Sequence, residues 1–144
     1  MPKASRLFVV LSLIAALVSG CAVNRATATV SPSTDLSALK TMYIQENPKD
    51  QSAYSLIADK LRSKGVTVTT GTEASPTGVD AVVTYVDKWM WDITMYMIEL
   101  TVVIREPKTD FPLATGNSFH TSLTRLSPKE MVNEVIDNIY KESK

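Results

Sequence analysis

Residues 81–106 read AVVTYVDKWMWDITMYMIELTVVIRE, and their alternation decides the fold. In the second half, Tyr96, Ile98, Leu100, Val102 and Ile104 fall on one face, and Met95, Met97, Glu99, Thr101 and Arg105 on the other. Successive side chains of a strand point to opposite faces, so this is an antiparallel strand with one dry side. The first half is ambiguous. Ala81, Val83, Tyr85, Asp87, Trp89 and Trp91 share one face, while Val82, Thr84, Val86, Lys88 and Met90 share the other. Turn chemistry arbitrates. Asp92-Ile93-Thr94-Met95 contains no Gly or Asn, which disfavours a two-residue primed turn. Asp in first position suits a four-residue type I turn. That loop pairs Trp91 with Tyr96, Trp89 with Ile98, Tyr85 with Val102 and Val83 with Ile104, gathering the aromatics on the dry face. It also sets Asp87 against Leu100. A three-residue loop instead buries Val82, Val86 and Met90, with Lys88 as the misfit and both tryptophans outside. Loop chemistry favours the first register.

Outward from this hairpin the elements are simpler. Thr41–Ile44 is a short strand, closed by Glu46-Asn47-Pro48-Lys49, where Pro cannot donate to a ladder. Asp50 is placed to cap a helix in which Ala53, Leu56, Ile57 and Leu61 recur at helical spacing, with Gly65 as its stop. Val66–Thr70 alternates and is β-branched, a strand. After the Glu106–Asp110 turn, residues 111–121 form another antiparallel strand, weakened and bulged at Gly116. Ser127-Pro128-Lys129-Glu130 is a capping box with Pro at the first helical position. Met131, Val132, Val135, Ile136, Ile139 and Tyr140 then make an apolar stripe. The order β-α-β-β-β-α predicts an α+β two-layer sandwich. A mostly antiparallel sheet of about four strands carries two helices on one face.

Tyr85-x-x-x-Trp89-x-Trp91-Asp92-x-x-x-Tyr96-Met97 resembles the signature of a family of small lipoproteins of Gram-negative bacteria, and Ile44-x-Glu46-Asn47-Pro48-Lys49 resembles the opening of that family's domain. The similarity spans about residues 40–143. It implies a fold and an address, with no established activity and therefore no catalytic residue. The Phe111-Pro112 strand start departs from the pattern, in which a Gly-containing turn precedes that strand.

The N-terminus agrees with that address. Lys3 and Arg6 precede an apolar run, Leu7–Val18, broken only by Ser12. The run is shorter than the ~20 residues needed to span a bilayer and has the flanks of a secretory signal. Val18-Ser19-Gly20-Cys21 resembles the bacterial lipobox. The resemblance implies cleavage between Gly20 and Cys21 and acylation of Cys21, whose several chains would anchor the protein stably. Ala22, where an inner-membrane retention Asp can stand, points by the same resemblance to the outer membrane, with the domain facing the periplasm. The expected organisation is a signal peptide over 1–20, a lipidated Cys and flexible tether over 21–36, and one domain over 37–144. An edge strand at Ala28–Val30 is the alternative to a tether there.

Composition narrows the function. Removing residues 1–20 takes away Lys3 and Arg6, leaving 13 basic against 15 acidic side chains in 124 residues. No basic run offers a phosphate-backbone footprint, so nucleic acid is not an expected partner. One histidine, and one cysteine committed to the lipid, give no metal set, and no cofactor is expected. His120 has Ser118 and Ser122 two residues away and reads as an exposed or hydrogen-bonded strand residue, since nothing in the sequence activates a nucleophile. The sharper signal is Tyr85, Trp89, Trp91, Asp92, Tyr96 and Met97. As a binding patch these residues would form an aromatic platform for an envelope protein, a glycan or a lipid. As structure, the rings would cap the core at one end of the hairpin. The expectation is a non-enzymatic, membrane-anchored interaction domain. The alternative is a small-ligand (lipid or glycan) domain with a pocket under the tryptophans.

Overall fold

The computed structural model describes residues 23–49, 53–74 and 76–144. The strands are β1 (Asn24–Val30), β2 (Thr41–Gln45), β3 (Thr67–Gly71), β4 (Ala81–Asp92), β5 (Thr94–Arg105) and β6 (Pro112–His120). The helices are α1 (Ala53–Ser63) and α2 (Pro128–Glu142). One sheet runs β1-β6-β5-β4-β2-β3. β2 pairs in parallel with both β3 and β4, and the other pairings are antiparallel. α1 packs on β2 and β3, α2 on β1, β5 and β6, and the helices touch each other. The α+β class therefore holds. The expected sheet of about four mostly antiparallel strands is wrong: the sheet has six strands and is mixed.

Two strands account for the miscount. The hairpin contributes both arms, β4 and β5, where the order β-α-β-β-β-α allows it only one strand. β1 lies in the stretch read as a tether; it takes the form of the alternative edge strand at Ala28–Val30, extended back to Asn24. Asn24–Val30 shows little apolar period because it is an edge strand, largely exposed, held by its ladder to β6 from Asn24↔His120 to Val30↔Ala114. Backbone pairing of this kind depends little on side-chain type. Asp50, the expected cap of α1, lies outside the described residues. Gly65 does end that helix, at φ 86°, a left-handed conformation that glycine adopts without strain.

α2 begins as its capping box predicts. Ser127 Oγ accepts from the Glu130 N–H at 3.3 Å, and the Glu130 carboxylate accepts from the Ser127 N–H at 2.8 Å. Met131, Val132, Val135, Ile136 and Ile139 are buried against the sheet. Gly116 does not bulge β6. The irregularity in the β5–β6 ladder lies between Ile104 and Arg105. Gly116 lets α2 approach instead: a Cβ there would lie 2.8 Å from Val135 Cγ1 and 2.9 Å from two Ile139 carbons.

Surface carboxylates give the fold a pH dependence of defined sign. Glu99 is held below its ordinary value of 4.5 first by the Lys88 ammonium that donates to it and then by the Asn117 amide. Backbone N–H groups of Thr41 and Lys40 do the same for Asp80. A depressed folded pKa contributes stability that is complete above the unfolded value and lost as pH falls through the folded one. The urea midpoint is thus expected to stay flat above about pH 5.5 and to fall below about pH 4.5. Glu99→Gln should shallow that fall, and an unchanged acid limb in this variant would refute the assignment.

Candidate interaction site

β4 and β5 outrun their neighbours. β2 pairs with β4 only over Ala81–Val83, and β6 pairs with β5 only from Glu99 onward. Residues 89–97 therefore continue as a two-stranded arm. In the body of the hairpin the favoured register is present: Val83↔Ile104, Tyr85↔Val102 and Asp87↔Leu100. Between Lys88↔Glu99 and Trp89↔Met97 it slips, because Ile98 is an extra residue in β5. The tip pairs are consequently Trp89↔Met97, Met90↔Tyr96, Trp91↔Met95 and Asp92↔Thr94. The expected Trp91–Tyr96 and Trp89–Ile98 pairs do not form, and the turn tightens around Ile93 alone rather than four residues.

This slip divides the predicted patch. Met97 takes the dry position and is fully buried in the core cluster with Tyr85. The Tyr85 hydroxyl accepts from the Asn47 N–H at 3.2 Å, tying the Asn-Pro turn to the sheet. Tyr96 is buried outside that cluster, beneath the Arg125 guanidinium 4.5 Å from its ring centre, and its hydroxyl donates to Met90 Sδ at 3.6 Å. These three residues are structural. Trp89 and Trp91, by contrast, are 41% and 71% exposed. Asp92 faces Arg125 at 3.7 Å.

Sequence reasoning missed Met90 and Ile93, which are exposed on the same tip as Met95, the residue it set beside the aromatic platform. One signal could have found them: an isoleucine stands where turn chemistry asks for Gly or Asn. Ile93 is 85% exposed and has φ 63°, a conformation a β-branched residue adopts only under strain. Ile93→Gly is accordingly expected to raise folding stability by about 1 kcal/mol, read as a higher urea midpoint. A lower midpoint would show that Ile93 stabilises the turn.

The arm is braced. Arg125 donates to Thr94 Oγ1 at 2.9 Å and to the Asp92 carbonyl at 3.5 Å while covering Tyr96. Trp89 Nε1–H donates to the Asp87 carboxylate at 2.6 Å, and Lys88 donates to Glu99 at 2.7 Å. A bare two-stranded ribbon is marginal in water, so these contacts position the exposed side chains.

His120 is 4% exposed and paired with the Glu134 carboxylate at 2.8 Å. The same carboxylate oxygen accepts from Ser118 Oγ at 2.6 Å. Both groups thus use one acceptor, and the serine is not hydrogen-bonded to the imidazole, as an activated nucleophile would be. The alternative small-ligand reading requires a pocket under the tryptophans, which a projecting arm with exposed rings does not match. A groove of about 530 Å³ lies at the other end of the sheet, lined by Asp35, Lys64, Asp137, Tyr140 and Lys144 among others. Among the described residues no group of three metal-ligating side chains gathers, and no helix is long and apolar enough to cross a membrane. Cys21 and Gly20 lie outside the described residues.

The chain matches no protein-family model and no curated protein. Solved structures share its fold. The PelC dodecamer from Paraburkholderia phytofirmans aligns with a TM-score of 0.60 at 12% identity, over 81% of this chain and 98% of that one. A point variant of PelC in another crystal form aligns at 0.57 and 16%, over 81% and 96%. TolB from Acinetobacter baumannii aligns at 0.50 and 14%, over 83% of this chain and 31% of TolB. At these identities the likeness establishes the fold alone.

Proposed function

We propose that this protein is a lipid-anchored lipoprotein of the bacterial outer membrane. In this reading its periplasm-facing domain acts by contact rather than catalysis. The observation that carries the reading is the braced arm, which holds Trp89, Met90, Trp91, Ile93 and Met95 in solvent. Clustered apolar exposure on a monomer marks a contact surface, since isolated folding would bury or replace such residues. The lipobox-like Val18-Ser19-Gly20-Cys21 supports the anchor, and the fold shared with PelC and TolB is compatible with an envelope protein. The sharing of Glu134 by Ser118 and His120 supports a structural role for the one histidine.

Mass spectrometry of the mature N-terminus from isolated membranes tests the reading. The expected N-terminal peptide begins at Cys21 and carries acyl chains. A native chain beginning at Met1, or a soluble form with a titratable thiol, overturns it.

A further inference from the structure

We propose that the β4–β5 arm is a second membrane contact, seating Trp89, Met90, Trp91, Ile93 and Met95 in the headgroup region of the bilayer that holds the Cys21 acyl chains. The inference rests on the anchored reading above and names what the exposed arm meets.

Topology puts the two at the same end of the sheet. β1 is antiparallel to β6, and Asn24 faces His120 at the end where β6 stops and the arm begins. The Val23 carbonyl accepts from the Thr121 N–H and from the Thr124 hydroxyl, fixing the chain at that end. Arg25 stands opposite Phe119, which stands opposite Glu99, so Arg25 and Glu99 lie on one level across the sheet. From Glu99 the arm runs five residues to Thr94, about 17 Å at strand spacing. From Arg25 the chain runs four residues back to Cys21, at most about 14 Å. With only Ala22 and Val23 in sequence between Cys21 and β1, an acylated Cys21 lies within reach of the plane of the arm's tip. A bilayer gripping that cysteine must come close to Ile93.

The chemistry suits a lipid surface better than a protein. Trp rings are at home at the headgroup level, where an apolar body and an N–H can both be accommodated. Lys88, Glu99, Asp87, Asp92 and Arg125 are engaged with one another or with Trp89 along the arm, leaving the apolar side chains foremost. A stable protein interface buries about 800 Å² on each side, more than five side chains on a two-stranded tip can supply. A lipid surface sets no such minimum, because the acyl chains already hold the protein there. Depth is limited too. Beyond β6 the outer edge of β5 lacks a strand partner, and unpaired backbone groups are not tolerated in hydrocarbon. The tip therefore rests at the interface and does not span.

Strain supports the same conclusion. Ile93 holds an unfavourable φ while exposed, so it contributes to neither packing nor turn stability. A side chain that inserts among lipids would account for its position.

Trp89 and Trp91 are the only tryptophans in the chain, so intrinsic fluorescence reads the arm directly. The acylated protein, verified by mass, is reconstituted into phosphatidylethanolamine–phosphatidylglycerol vesicles. Shallow brominated lipids should quench its emission. Iodide quenching should fall roughly threefold or more, since a ring some 5–10 Å into the boundary is shielded from a hydrated anion. Trp91→Ser with Ile93→Ser, both at exposed positions, should return the remaining Trp89 to iodide. Suppose instead that the protein floats with the vesicles, iodide quenches fully and brominated lipid has no effect. The arm then faces water, and this proposal fails while the anchored reading stands. Iodide protection without lipid quenching would mean that a second copy or another protein covers the arm, and would also overturn it. Absence of acyl chains on Cys21 is the separate result that removes the anchored reading.

Discussion

Replacing Gly116 with valine is expected to destabilise the domain by about 3 kcal/mol, and with alanine by about 1–2 kcal/mol. The physical cause is proximity. A Cβ at this position would lie 2.8 Å from Val135 Cγ1 and 2.9 Å from Ile139 Cγ1 and Cδ1. Ile139 Cδ1 can swing aside, but Val135 is stiff about χ1 and fully buried. β6 cannot retreat either, because it is laddered to β1 on one side and β5 on the other. α2 would have to lift, opening gaps along a stripe packed at interior density. A β-branched residue ordinarily favours a strand over glycine, so propensity alone gives the opposite sign. Urea unfolding decides: a neutral or stabilised Gly116→Ala protein would mean that α2 yields easily.

Met97→Ala is expected to cost about 3 kcal/mol, while Met95→Ala should stay within about 0.5 kcal/mol. The two methionines share one face by simple alternation, and both were expected opposite the dry side. In the fold Met97 is fully buried and Met95 is 59% exposed. Two features make the difference. The extra Ile98 moves Met97 onto the core side, and Met95 lies on the projecting part of the arm. The pair of variants thus measures the slip by denaturation alone. Equal costs at both positions would contradict the register.

The body of the hairpin was legible because Val83, Tyr85, Leu100, Val102 and Ile104 are apolar at strict two-residue intervals. α2 was legible because capping, Pro at the first position and the apolar stripe all agree. Tyr85, Tyr96 and Met97 carried the same kind of signal as Trp89 and Trp91, and nothing local separates them. They part because the slip at Ile98 turns Met97 to the core side and Arg125 covers Tyr96, while Trp89 and Trp91 stand on an arm that β2 and β6 do not flank. The pattern in the chain marks a residue as apolar. Strand register and the segments packed from elsewhere in the chain decide whether it is covered.

The amino-acid order by itself determined the α+β class, the two helices, the register in the body of the hairpin and the absence of a basic footprint. These are short-range matters of periodicity, capping and charge. Tertiary structure alone decided that Asn24–Val30 is a strand, that Ile98 is extra, that Gly116 admits a helix and that the tryptophans stand in solvent. Each of those depends on backbone ladders and on the ends of elements distant in the chain. Ladder hydrogen bonds form between groups every residue possesses, so no side-chain pattern announces them.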